Sequence, residues 1–131
     1  MNKLILCEGA TDAILLSFYL ERTAGWKFVR QPPQGVSIRA TEQNEEVTWY
    51  KKHNDYLLIC AVGGKDNFGK FFDDKIQKPL VMSDAFEEIA IVTDRDNREV
   101  SEIETEASAF LKVPCGTIKN NQWNDCSYTN K

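Results

Sequence analysis

The sequence has little of what marks membrane, secreted or zinc-binding proteins. Its apolar runs are far shorter than the roughly 20 residues that a membrane span needs. Its N-terminus has no basic segment followed by a long apolar stretch and a cleavage site, so we expect a cytoplasmic protein without a membrane partner. The four cysteines are widely separated and include no Cys-x-x-Cys pair, which favours neither a zinc site nor a disulfide framework.

An excess of positive charge is also missing. The 131 residues carry a formal net charge of -4 and the pI is about 5.0, which argues against a protein that coats nucleic acid through its own charge. Action on phosphates is still allowed, because bound divalent cations supply positive charge. The composition is 42% hydrophobic and 27% charged, which is typical of a globular protein and predicts one domain over residues 1–131.

Three short apolar runs predict the strands of a sheet. They cover residues 4–7, 56–62 ("YLLICAV") and 89–93 ("IAIVT"), and their β-branched residues without polar alternation suit parallel strands buried on both faces. Helical spacing lies between and after them, in "TDAILLSFYLER", "DNFGKFFDDKI" and "REVSEIETEASAFL". Strands and helices alternate, so the sequence predicts an α/β fold with a central, mostly parallel sheet.

All three helices have a predicted apolar stripe, which in the third consists of Val100, Ile103, Ala107, Phe110 and Leu111. We expect the first helix to be capped by Thr11 or Asp12. The residues expected on the other two stripes are Ile14, Leu15, Phe18 and Tyr19 in the first helix, and Phe68, Phe71, Phe72 and Ile76 in the second.

The segments outside these elements are less regular. Prolines and a glycine interrupt the polar residues 26–46, which we predict to be loop. Residues 47–62 favour a hairpin that turns at His53, which would add an antiparallel edge strand. Residues 112–131 contain no convincing strand or helix. The tryptophans are scattered, and we expect at least two of the three to pack in the core or at a sheet edge rather than stack on bases.

Acidic residues and glycines follow each predicted strand. Glu8 and Gly9 follow the first, with Asp12 in the first helical turn; Gly63, Gly64 and Lys65 follow the second; Asp94 and Asp96 follow the third. Ligands of parallel sheets collect at the carboxyl ends of the strands, so we expect these residues to meet. Taken singly, each feature is more typical of a turn or helix cap, and the prediction depends on all three occurring in order.

Carboxylates gathered at one point need a counter-charge. A pair a few ångströms apart repels by roughly 4 kcal/mol at an effective dielectric constant near 20. Mg²⁺ takes oxygen ligands and keeps waters that a phosphate can replace. Glycines beside the acids allow backbone and phosphate to approach closely, and the N-terminus of the first helix directs N–H groups at an anion. The pattern therefore predicts a metal site that handles phosphate.

With these residues, "CEGATD", "VGGKDNFGKF" and "VTDRD", the chain resembles the Toprim domain of topoisomerases, bacterial primases and small nucleases. It is most similar to the Toprim module of OLD-type nucleases and their small stand-alone relatives, over roughly residues 3–111. The resemblance implies a Rossmann-like sheet flanked by helices. It also implies hydrolysis of DNA or RNA phosphodiesters with Mg²⁺, for which Mn²⁺ can substitute.

The resemblance further implies a role for each matching residue. Glu8 is the general acid or base or a metal ligand, Asp94 and Asp96 hold the metal, and Asp12 supports a second ion. Gly9, Gly63 and Gly64 match the family glycines. Lys65 is not part of the family pattern, and we predict from its place after the second strand that it contacts phosphate.

The chain departs from the family at its C-terminal end, and other functions remain open. A fourth strand and its helix, expected after residue 111, are missing from the pattern, so a partner chain or second copy completes the sheet, the chain is shortened, or the site is incomplete. The main alternative is a non-catalytic module that binds metal, nucleic acid or protein. Phosphotransfer and nucleotide-sugar chemistry are less favoured, because the acid pair comes late in the chain and the chain is short.

Overall fold

A computed structural model describes residues 2–77, 86–93, 99, 101–102 and 105, with only the backbone of Lys65 and Gln77. The chain divides into two units, Met1–Thr93 and Asp94–Lys131, and the strands and helices given below belong to the first. The expectation of one domain over residues 1–131 stays a prediction. The helix expected over residues 98–111 lies largely outside the described residues, and residues 112–131 lie wholly outside them.

The described elements are five strands, with a helix after the first strand and a helical segment after the fourth. They are β1 (Asn2–Cys7), α1 (Ala10–Ala24), β2 (Lys27–Val29), β3 (Glu46–Lys52), β4 (Asp55–Ala61), a helical segment from Lys65 to Gln77, and β5 (Glu88–Val92). The helical segment starts as a 3-10 turn (Lys65–Asn67), continues as a short α-helix (α2, Phe68–Phe71) and ends as a π-helix (Phe72–Gln77). In the described part of the chain, no helix is both long and apolar enough for a membrane crossing.

Five strands form one mixed sheet in the order β2-β3-β4-β1-β5. The central strand β1 is parallel to β4 on one side and to β5 on the other. The hairpin partner β3 is antiparallel to β4, and β2 is antiparallel to β3. The three predicted parallel strands and the hairpin turning at His53 are therefore confirmed, and the fold is α/β.

Both faces of the sheet are buried, as the uninterrupted apolar runs require. On one face, Ile5 and Cys7 of β1 and alternate residues of β4 pack with Ala13 of α1 and with Trp26. The intervening residues Leu4 and Leu6 point to the other face and are also almost fully buried. Trp49 is buried and stacks on Phe86 with ring centroids 6.3 Å apart, so the expected packing role of two tryptophans is confirmed.

The predicted apolar stripe of α1 was assigned to the wrong face of the helix. Its four residues, Ile14, Leu15, Phe18 and Tyr19, are 50% to 63% exposed. A second apolar series contacts the sheet instead, consisting of Ala13, Leu16, Leu20 and Ala24. Both series have helical spacing, and the small Ala13 allows closer approach to the sheet, so periodicity alone could not choose between them.

Two further predictions need correction, and one holds. Residues 26–46 are not all loop, because Lys27–Val29 forms the edge strand β2; three residues are too few for periodicity to reveal. The N-cap residue of α1 is Gly9 rather than Thr11 or Asp12, and Asp12 caps the helix from its third position by accepting from the N–H of Gly9. The apolar stripe of the helical segment after β4 is confirmed: Phe68, Phe71, Phe72 and Ile76 are all buried.

Candidate functional site

The carboxyl ends of β4, β1 and β5 lie side by side. Cys7 at the end of β1 is in register with Ala61 of β4 and Val92 of β5. The residues that follow these strands, among them Glu8 and Thr93, therefore emerge at one edge of the sheet. This edge is where a parallel sheet presents its ligand-binding loops.

Hydrogen bonds fasten the ends of β1 and β4 to each other. The main-chain carbonyl of Glu8 accepts from the N–H of Gly63 at 2.9 Å and from that of Gly64 at 2.8 Å, and Val62 N donates to the carbonyl of Cys7 at 3.0 Å. These bonds fix the main chain of Glu8. Because the N–H groups of both glycines already donate to Glu8, they are not available to a phosphate. A phosphate role for Gly63 and Gly64 would depend instead on the room that their missing side chains leave for the phosphate.

Gly63 is needed by the chain itself. Its φ is +86°, in the region that favours glycine. A Cβ at this position would lie 3.1 Å from the Cβ of Asn44 and 3.3 Å from its carbonyl oxygen. The loop that precedes β3 therefore packs directly on the turn that follows β4.

The carboxylate of Glu8 is joined to the end of β5. The hydroxyl of Thr93 donates a short hydrogen bond to Oε1 of Glu8. Thr93 directly precedes Asp94, the first of the two predicted metal-binding aspartates. No role was predicted for Thr93 from the sequence. Its position between an apolar run and an acid pair is nevertheless one from which a hydroxyl can donate to a carboxylate on the neighbouring strand.

Gly9 and Asp12 belong to the start of α1. Oδ2 of Asp12 accepts from the N–H of Gly9 at 3.3 Å, as in a capping box. Gly9 has an extended backbone with φ of -138°, and a Cβ there would meet no atom closer than 3.9 Å. Asp12 thus has a structural role in the helix, whereas the fold does not require glycine at position 9.

A cleft of about 460 Å³ opens in front of Glu8, and we refer to it as the Glu8 cleft. Its lining combines five predicted site residues with four that the sequence did not indicate. The predicted ones are Glu8, Gly9, Asp12, Gly63 and Gly64, and the others are Ala10, Gln43, Asn44 and Glu46. The predicted hairpin indicates where Glu46, the residue just before it, should lie. Because β3 runs antiparallel to β4, its first residue pairs with Ala61 and must return to the carboxyl edge.

The cleft has an acidic character that reaches the adjacent thiol. Burial, followed by the charges of Asp12, Glu46 and Glu8, raises the pKa of Cys7 from 9.0 to about 12. Its Sγ donates to the carbonyl of Cys60 at 3.4 Å. Cys7 therefore stays a protonated, buried thiol at neutral pH and packs as a small apolar side chain.

Three of the predicted site residues cannot be compared with these positions. Asp94 and Asp96 lie outside the described residues, as does the side chain of Lys65, whose backbone begins the 3-10 turn. Among the residues that the structure describes, no group of three or more His, Cys, Asp or Glu side chains is arranged to hold a metal ion. The metal site thus stays a prediction that needs the acids after β5.

Neither a protein-family model nor a curated protein matches the sequence significantly. Among solved structures, the chain is similar to the crystal structure of hypothetical protein PH0156 from Pyrococcus horikoshii OT3, with a TM-score of 0.67 and 21% sequence identity. The match covers 98% of this chain and 53% of that chain, so this chain spans about half the length of that protein. At this identity the similarity supports the fold alone.

Proposed function

We propose that this chain is a Toprim-type module that processes nucleic-acid phosphodiesters with Mg²⁺, or Mn²⁺ in its place, and that it does so by hydrolysis. The observation that carries the proposal is the setting of Glu8. Its carboxylate stands at the carboxyl end of the central parallel strand and contacts Thr93, the residue before Asp94 and Asp96.

The donor chemistry of the edge fits a hard divalent cation. Three acidic residues, Glu8, Asp12 and Glu46, are among those that line the Glu8 cleft, and Mg²⁺ binds carboxylate oxygens while keeping water in its shell. In the proposal, Asp94 and Asp96 hold the ion, and Glu8 stands beside it as the group that transfers a proton. When bound, it would offset the acidic charge of the cleft and stabilise the charge that develops on the phosphate.

Gly9 supplies a second line of support. Neither its backbone angle nor its surroundings demand glycine, so the missing side chain is not explained by folding. A side chain at this position would stand beside Glu8 at the mouth of the cleft. We infer that position 9 is kept small so that a phosphodiester can come close to the Glu8 carboxylate.

The reaction proposed is an in-line displacement at phosphorus. A water oxygen forms the new P–O bond while the bond to one ester oxygen breaks, which yields a phosphomonoester and a hydroxyl. Glu8 serves as the general base that takes the proton from the water, or as the general acid that gives one to the leaving oxygen. Thr93 positions this carboxylate through its hydrogen bond.

The test pairs a Mn²⁺ titration with cleavage assays on single- and double-stranded DNA and RNA. We expect Glu8→Gln and Asp94→Asn to lower the cleavage rate by a factor of about 10² or more. Glu21→Gln, which changes an exposed acid on α1, is the matched control and should retain the rate.

Each outcome of this test separates the candidate functions. Metal binding without cleavage of any substrate would instead support the non-catalytic module. A chain that neither binds Mn²⁺ nor cleaves any of these substrates would refute the proposal. Cleavage that survives Glu8→Gln would refute the role of Glu8.

A further inference from the structure

Two clefts share one wall at the carboxyl edge of the sheet. The first is the Glu8 cleft. The second, of about 380 Å³, extends over the turn after β4 and contains Lys70, and we refer to it as the Lys70 cleft. Gln43 and Asn44 line both clefts, and these two residues are called the shared wall. Each cleft has a volume in the range of small-ligand sites.

The shared wall is held by contacts on both sides of it. Oε1 of Glu45 accepts from the N–H groups of Thr41 at 3.0 Å and Glu42 at 3.2 Å, which closes the loop on itself. Lys75 of the π-helix donates to the hydroxyl of Thr41 at 2.6 Å and lies 3.9 Å from Glu45. The Glu45 and Lys75 side chains are only 9% and 16% exposed, so this ion pair is largely shielded from water.

The loop is also pressed against the strand turn. The absence of a side chain at Gly63 leaves just enough room for Asn44. The wall is thus anchored to the helical segment through Lys75 and to β4 through Gly63. An anchored wall can hold a ligand in a defined position, because its main chain has little order left to gain.

The two clefts differ in the charges they present. The Glu8 cleft is lined by three acidic residues and is suited to a metal-bound phosphate. The Lys70 cleft is lined by two acids, Glu42 and Glu45, as well as by the exposed Lys70. The Glu45 carboxylate is engaged by Lys75 and by two N–H groups of its own loop, whereas the Lys70 ammonium is a group that attracts a phosphate directly. On the wall between them, the exposed amides of Gln43 and Asn44 form no hydrogen bond with any residue that the structure describes. They are neutral donors and acceptors facing both spaces.

We propose that the two clefts bind successive nucleotides of a single strand, with the reacting phosphodiester in the Glu8 cleft and the next phosphate beside Lys70. Gln43 and Asn44 hydrogen-bond the strand between these two points. This inference rests on the proposed function and specifies its substrate as unpaired DNA or RNA. A flexible single strand can turn its nucleotides into separate clefts, whereas a duplex would first have to unpair and unstack.

The central test adds one negative charge to the shared wall without changing its shape. Binding is measured by fluorescence anisotropy with a labelled single-stranded oligonucleotide and its duplex, in Mg²⁺ and in the Glu8→Gln background so that the strand stays intact. We expect Asn44→Asp to weaken single-strand binding about tenfold, because the new carboxylate faces phosphate. Asn54→Asp makes the same change in the hairpin turn at the other end of β4 and should alter binding less than twofold.

Two further variants keep the test decisive if Asn44→Asp does not fold. Gln43→Glu makes the equivalent charge change on the same wall, and Gln34→Glu on another exposed loop is its control. Lys70→Gln should weaken binding several-fold and lower the slope of log affinity against log salt by about 1. Lys27→Gln, on the edge strand β2, should leave the slope unchanged.

The outcomes separate this inference from the proposed function. Duplex binding as tight as single-strand binding would overturn the inference, as would equal effects of Asn44→Asp and Asn54→Asp. If the wild-type chain still cleaves and Glu8→Gln does not, the proposed function survives that result. If the wild-type chain neither binds nor cleaves any strand, both proposals fall.

Discussion

Replacing Gly63 by alanine tests whether the loop before β3 is packed against the end of β4. The backbone at this position has a φ of +86°, which costs an L-residue about 1–2 kcal/mol. The added Cβ would also lie 3.1 Å from the Cβ of Asn44 and 3.3 Å from its carbonyl oxygen. Overpacking of this kind typically costs about 1–3 kcal/mol. We therefore expect Gly63→Ala to lower the free energy of unfolding by about 2–5 kcal/mol.

Gly35 offers a closely matched control. Its φ is +83°, and a Cβ there would meet no heavy atom within 4 Å. Gly35→Ala carries the same backbone cost and the same small gain from a stiffer unfolded chain. We expect it to lower the free energy of unfolding by only about 1 kcal/mol, so the difference between the two variants measures the contact with Asn44.

Urea denaturation followed by tryptophan fluorescence measures both free energies, since Trp26 and Trp49 are buried. The variant Asn44→Gly removes one of the two close contacts while the carbonyl oxygen remains. In that background, the extra cost of Gly63→Ala should fall by roughly half. Equal costs at positions 35 and 63 would refute the proposed packing.

Three other predictions concern the helix face, the buried thiol and the site. Leu20→Ala should lower the free energy of unfolding by about 2 kcal/mol and Leu15→Ala by less than about 0.5 kcal/mol; the opposite order in urea denaturation would return the exposed stripe to the core. Because the folded protein holds the proton of Cys7 up to about pH 12 rather than 9.0, its contribution to stability is complete below pH 9 and is lost as the pH rises toward 12. Urea midpoints of Cys7→Ala should therefore fall less steeply than those of the wild type over this range, and parallel curves would contradict the assignment. Thr93→Val should lower the cleavage rate about tenfold by releasing Glu8, whereas Thr93→Ser should keep most of the rate; equal rates for both variants would exclude a positioning role for the hydroxyl.

Much of the sheet could be predicted from short-range patterns. The runs that became β1 and β4 are uninterrupted and apolar, because both faces of these strands are largely buried. The run that became β5 is equally apolar, although its residues are only partly buried. The hairpin followed from two β-rich runs meeting at a short turn. The three-residue strand β2 could not be predicted, because its existence depends on pairing with β3 and not on its own composition.

The site could be predicted in part for a similar reason. Glu8 and the glycines are found at the predicted edge because strand direction alone determines where they emerge. Gln43 and Asn44 lie in a polar loop, and nothing in their local sequence indicates that the loop packs on Gly63. That contact depends on how β3 returns beside β4, which is a property of the sheet as a whole.

The central position of β1 also has a consequence for how the protein folds. Glu8 acquires its surroundings only when β1 has paired with β4 on one side and with β5 on the other, and both partners are distant along the chain. During synthesis on a ribosome, β1 is made before both of its partners. Its second partner, β5, is complete only when residue 92 has been added. No local piece of the chain can assemble this edge, so the amide protons of β1 should exchange with solvent mainly through global unfolding. The loss of the candidate site and the loss of the fold are then a single event.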